Sequence, residues 1–161
     1  MERALWAKKN RLENTPVWLP LTVHLHDTME VCVYLFDHWL SDGVKDFLTD
    51  ALESDTYDKE ELLRNLCKFL GAVHDLGKAT AIFQMKPSFD GDAELDRVML
   101  EHLKNAGFQR VDDYDAAKRM NIRHEVSGQY FLREFGVPFS IANIIGAHHG
   151  RPVEERESQA C

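Results

Sequence analysis

Apolar side chains return along this chain mostly at the three-to-four-residue spacing of helices, and strict alternation is scarce. From Leu21 to about Leu40, the positions His24, Thr28, Val31, Leu35 and Trp39 fall on one helical stripe, which Ser41-Asp42-Gly43 closes. Asp58 with Glu61 three residues on reads as an N-terminal cap. Behind it, Leu62, Leu66, Phe69, Leu70 and Val73 make an apolar face that runs into His74 and Asp75, with Gly77 as the stop. A short helix is predicted over 79–85, a loop from Pro87 to Asp92, and an amphipathic helix over 93–105 closed by Gly107. The stretch 108–122 is polar and shows no clear period. Helices over about 123–135 and 138–149 follow, separated by Gly136, with Pro138 near the start of the second. Residues 1–20, which include Pro16 and Pro20, read as a tether. No internal repeat or low-complexity segment interrupts the pattern. The expectation is an all-α bundle.

Composition narrows the picture. A chain of 161 residues, 44% of them hydrophobic, fits one domain, 1–161, with a core of its own. The opening MERALWAKKNRLENT has no apolar stretch, so no signal peptide is expected, and no run approaches the roughly 18 apolar residues that span a bilayer. Cys32, Cys67 and Cys161 are odd in number and form no CxxC, which predicts reduced thiols in a cytoplasmic protein. The net charge of −8 argues against a free-standing nucleic-acid-binding module, which would carry a basic face. It leaves room for a nuclease domain to which a partner delivers the strand.

The histidines carry the chemistry. Six of the eight lie in four short motifs: HLHD at 24–27, AVHD ending at 75, RHE at 123–125 and HHG at 148–150. His24 and Asp27, three apart on one helix, can face one site. His26 points about half a turn away, and His26, His38 and His102 read as surface or core histidines. Neighbours such as His74-Asp75 and His148-His149 do not share a helix face. They can reach one site only where a helix ends, and both pairs lie just before a glycine. The partial negative charge at a helix C-terminus also favours a cation there. Imidazole nitrogen with carboxylate oxygen suits one or two borderline divalent ions, Fe, Mn, Co, Ni or Zn. The expectation is a metal-dependent hydrolase of the HD type, with the metal site in a central cleft.

WLPLTVHLHD, FLGAVHDLGKATAIFQ, RHEVSG and IIGAHHGRP together resemble the HD nuclease domain of the CRISPR-associated nuclease–helicase of type I systems. The order of the motifs and their flanks match, including HDLGK followed by Phe83-Gln84, and the resemblance covers about 5–150. It implies a two-metal site that cuts single-stranded DNA, a fused or partner helicase that feeds the strand, and a crRNA-guided surveillance complex that recruits the protein; no membrane is involved. It assigns His24, His74 and Asp75 to one metal, with Asp75 bridging to a second metal held by His124, His148 and His149. Asp27 becomes the buttress of His24. Lys78 becomes the lysine that neutralises phosphate charge, against the alternative of a plain helix-end cation. Arg123 and Arg151 flank ligand positions, as phosphate-steering groups or as ordinary surface charges.

Two departures qualify the match. The resemblance implies a late aspartate downstream of HHG, and here only Glu154, Glu155 and Glu157 follow His149. No GxxxxGK[ST] or DEAH-like motif supplies a helicase. A fragment of a larger protein or a naturally short relative is therefore expected, with weak activity alone. An HD phosphohydrolase acting on nucleotides and a truncated non-catalytic interaction module are the alternatives.

Overall fold

The segment expected to be a tether is a β-hairpin. In the computed structural model, which describes residues 3–53, 56–113 and 123–151, β1 (Trp6–Leu12) pairs antiparallel with β2 (Thr15–Pro20). The register runs from Leu12 opposite Thr15 to Lys8 opposite Leu19, with an irregularity before Trp6 opposite Pro20. Proline is tolerated because β2 has a neighbour on one side only. The turn carries no glycine; Glu13 takes the left-handed conformation instead, with φ 55°. Ion pairs tie β1 to the helix Ala93–Asn105 and its N-cap residue Asp92. Arg11 donates to both Asp92 oxygens at 2.6 and 3.1 Å, and Lys9 reaches Asp96 at 2.6 Å and the Lys86 carbonyl at 2.5 Å.

Helices make up most of the rest: α1 (Leu21–His38), α2 (Asp42–Asp50), α3 (Lys59–Val73), a 3₁₀ turn at Leu76–Ala79, α4 (Ala81–Gln84), α5 (Ala93–Asn105), α6 (His124–Glu134) and α7 (Phe139–Gly146). The fold is thus mostly helical with one two-stranded sheet, where an all-α bundle was expected. The stop at Ser41-Asp42-Gly43 also starts a helix, since Ser41 is the N-cap residue of α2. No helix among the described residues is long and apolar enough to cross a membrane.

Chain contacts divide the protein into two units, one formed by residues 1–24 and 74–161 and the other by Leu25–Val73. In the first unit, the Asp92 carboxylate caps α5 through the Leu95 amide. Leu95, Met99 and Leu103 then recur every four residues and are fully buried. Leu95 and Met99 pack with Trp6 and Phe83, and each such buried side chain contributes roughly 1.5–3 kcal/mol. Helices α6 and α7 pack together, with Gly128 against the Ile145 side chain, and Val126, Leu132, Ala142 and Ile145 are buried.

In the second unit, α3 meets α1 where Gly71 lies so close to Met29 and Cys32 that a Cβ would come within 2.9 Å of both. That approach makes Met29, Cys32 and Phe36 the inward side of α1. The stripe read from Val31, Leu35 and Trp39 is exposed instead. Arg64 pairs with both oxygens of Asp37 at 2.8 Å, and Lys45 with Glu60 at 3.3 Å. Cys32 and Cys67 are free thiols, and burial pushes both up from the usual thiol range.

Candidate metal centre

Helix ends deliver the candidate ligands. His24 lies in the first turn of α1, His74 and Asp75 directly follow α3, His124 opens α6, and His148 and His149 follow α7 by one residue. At such ends successive side chains are released from the helical spacing, so neighbours can face the same point. Gly77 then presses the HD turn against α6. A Cβ on it would fall 1.8 Å from the His124 carbonyl oxygen and 2.6 Å from the Gly128 nitrogen. Gly77 was expected to be a helix stop, but its φ is not in the left-handed region. What it supplies is absence of bulk at a main-chain crossing.

Asp75, 4% exposed, is the hub. Its Oδ2 meets His24 Nε2 at 2.8 Å, His74 Nε2 at 3.2 Å and Lys78 Nζ at 2.7 Å. Its Oδ1 meets His124 Nε2 at 2.8 Å and His148 Nε2 at 3.6 Å. His149 Nε2 lies 3.2 Å from His124 Nε2. Two groups of ligand atoms result, each with its atoms within 4.8 Å of one another: His24, His74 and Asp75, and Asp75, His124, His148 and His149. Burial alone would raise Asp75, but the imidazoles of His124, His148 and His74 and the Lys78 ammonium outweigh it and hold its carboxyl far below the usual range. Burial lowers His24 and His149, while Asp75 raises His148 against the opposing effect of burial.

His148 tests whether this set fits a metal ion. Its Nδ1 lies 2.7 Å from the Ile145 carbonyl oxygen, which can only accept, so Nδ1 carries the proton and donates it there. In the neutral ring Nε2 would then be a lone pair, buried, with no hydrogen-bond partner, facing the Asp75 carboxylate oxygen at 3.6 Å. Two acceptors facing each other are stabilised only by a positive charge between or upon them. A ring fixed by a backbone carbonyl with its other nitrogen turned inward is the usual posture of a histidine ligand. Three-ligand and four-ligand imidazole–carboxylate groups suit the borderline transition metals.

The surroundings hold these rings in place. Phe83 packs edge-on against His124 at 5.5 Å between ring centres and lies under the Lys78 ammonium at 5.4 Å. Gln84, buried, donates to the carbonyls of Trp6 and Lys78 at 2.9 and 2.8 Å and accepts from the Trp6 amide at 3.1 Å. The Phe83-Gln84 pair thus ties the HD turn to β1. Glu125 was not singled out from sequence. It is buried, with Oε2 3.5 Å from His124 Nδ1 and Oε1 3.5 Å from Arg123 Nη1. The signal for it was present in RHE, where a carboxylate adjoins a ligand histidine. Arg123 also donates to the Arg151 carbonyl at 3.4 Å, joining the RHE and HHG segments, and the Arg151 side chain is exposed. Asp27 is exposed on α1 and belongs to neither ligand group; the carboxylate on the His24 ring is that of Asp75. Lys78, read as a phosphate lysine, contacts Asp75 directly. Glu154, Glu155 and Glu157 lie outside the described residues.

A family model described as "Cas3, HD domain" matches residues 6–161. Among curated proteins, the "CRISPR-associated nuclease/helicase Cas3" of Streptococcus thermophilus is 41% identical over 150 residues. That match covers 93% of this chain and 16% of the relative's length. No solved structure matches the chain.

Proposed function

The chain belongs to the Cas3 HD domain family, and on that premise we propose that it is a metal-dependent phosphodiesterase that cuts single-stranded DNA in type I CRISPR interference. A helicase, fused or separate, feeds it the strand, and a crRNA-guided surveillance complex brings both to the opened target. The observation that carries the reading is Asp75: one buried carboxylate with imidazoles gathered at each of its oxygens, as a bridging ligand requires.

His24 and His74 would hold one divalent transition-metal ion with Asp75 Oδ2, and His124, His148 and His149 a second with Oδ1. The ions so held would supply a water acidic enough to attack at neutral pH and would neutralise charge on the phosphate oxygens. The chain's own residues do the rest. The Ile145 carbonyl holds His148 in the tautomer that aims Nε2 inward, and the Glu125 carboxylate lies behind His124, 3.5 Å from its Nδ1. Lys78 offers its ammonium to a phosphate oxygen at the edge of Asp75, and Arg151, exposed beside the HHG turn, steers the strand.

The test is cleavage of end-labelled single-stranded DNA with Mn, Co, Ni, Fe or Zn supplied one at a time, alongside a chelated control. Wild-type chain should cut with at least one metal and not with chelator. Asp75→Asn should lower cleavage by about a hundredfold or more, because it removes the charge both ions share. Undiminished cutting by Asp75→Asn overturns the mechanism. Hydrolysis of mononucleotides with no cutting of DNA, even beside a helicase, transfers the chain to the phosphohydrolases.

A further inference from the structure

The two oxygens of Asp75 do not have equivalent neighbours. Both face imidazoles, but only Oδ2 also carries an ammonium, Lys78 Nζ at 2.7 Å. That ammonium is confined: Lys78 is nine-tenths buried, its Nζ lies over the Phe83 ring, its amide donates to the Asp75 carbonyl at 2.9 Å, and its own carbonyl accepts from Gln84 at 2.8 Å. A fixed positive charge in a buried place is little screened by salt and acts strongly over a few ångströms. A cation entering between His24, His74 and Oδ2 must share that oxygen with the ammonium or push it aside, and either lowers affinity. A cation at His124, His148, His149 and Oδ1 has one more protein ligand and no lysine on its oxygen.

We propose that Lys78 sets the order of metal loading: it is an internal competitor that weakens the His24–His74 side of the site and leaves the His124–His148–His149 side tight. The inference deepens the two-ion reading and rests on it. It gives Lys78 a role beyond contact with phosphate. The weak side would fill last.

The test is calorimetric titration of chelator-stripped chain with Mn²⁺, repeated with Co²⁺ and followed by visible absorption. Wild type should bind in two steps separated by about tenfold or more in dissociation constant, since groups around a ligand change affinity by that order. Lys78→Met should tighten the weak step by about tenfold and leave the tight step within about threefold. Lys78→Arg, which keeps the charge, should restore the wild-type gap; a purely packing role would not. If circular dichroism shows Lys78→Met unfolded, Lys78→Gln carries the same comparison. Two equal steps in wild type, a weak step unmoved in the neutral variants, or an arginine variant that behaves like methionine each overturns the inference. Wild-type chain that binds no metal at all instead overturns the two-ion reading beneath it.

Discussion

Asp75 places a full negative charge in a buried position, and among the described residues its carboxylate oxygens meet imidazoles and one ammonium. Such a charge persists only because these partners outweigh its desolvation. At this scale the ligand histidines depend on what lies behind them. Glu125, buried at 3.5 Å from His124 Nδ1, should fix that ring and raise its basicity. Glu125→Gln is expected to weaken metal binding at the His124 group by about 10–100-fold and leave the His24 group nearly unchanged, as read by competition with a chelator. Equal loss at both groups would show that the substitution disturbs Asp75 and not His124 alone. Gly77 is a residue-scale requirement of another kind. Gly77→Ala should destabilise the chain by about 3 kcal/mol, because the methyl group meets main chain that cannot rotate aside. Gly43→Ala is its control. Nothing lies within 4 Å of a Cβ there, so inside α2 it should stabilise by roughly 0.4–1 kcal/mol. Urea denaturation of the two variants separates these outcomes.

At the scale of elements, ion pairs add to the apolar core. The hairpin is held to α5 by Arg11 and Lys9, and the same Asp92 that takes Arg11 also caps α5. The Arg11 guanidinium and the Leu95 amide push Asp92 down to about 2. A carboxyl lowered in the folded state contributes stability that is present above its unfolded value, near 4, and lost as pH falls toward the folded value. The urea midpoint of wild type should therefore exceed that of Asp92→Asn by a constant margin above about pH 5, and the margin should shrink between about pH 4 and pH 2. Asparagine still caps a helix, so the difference reports the charge. A margin that does not change with pH would assign the effect to the cap alone.

For the molecule as a whole, net charge governs the encounter with substrate. A chain of net charge −8 can neutralise few phosphates. The isolated chain should bind a single-stranded oligonucleotide more weakly than about 10⁻⁴ M at physiological salt, measured by fluorescence anisotropy. Submicromolar binding would remove the need for a helicase to deliver the strand. The matched nuclease/helicase is about six times longer than the region this chain spans.

The sequence by itself marked most of the helices and the candidate ligand residues. Both depend on local information: apolar spacing marks α1, α3 and α5, and a His/Asp pair just before a glycine marks a helix end where neighbouring side chains can converge. Tertiary structure alone decided what depends on a partner far along the chain. Residues 6–20 look like a tether because no glycine marks the turn and the lysine and arginine that anchor β1 find their carboxylates more than 80 positions away. Gly77 looks like a stop until the His124 carbonyl is beside it. The division of Asp75 into an oxygen with an ammonium and one without, and the place of Glu125 behind His124, follow from side chains packed in space. Spacing along a sequence gives the face on which a residue lies, and only the packed chain gives the atom it meets.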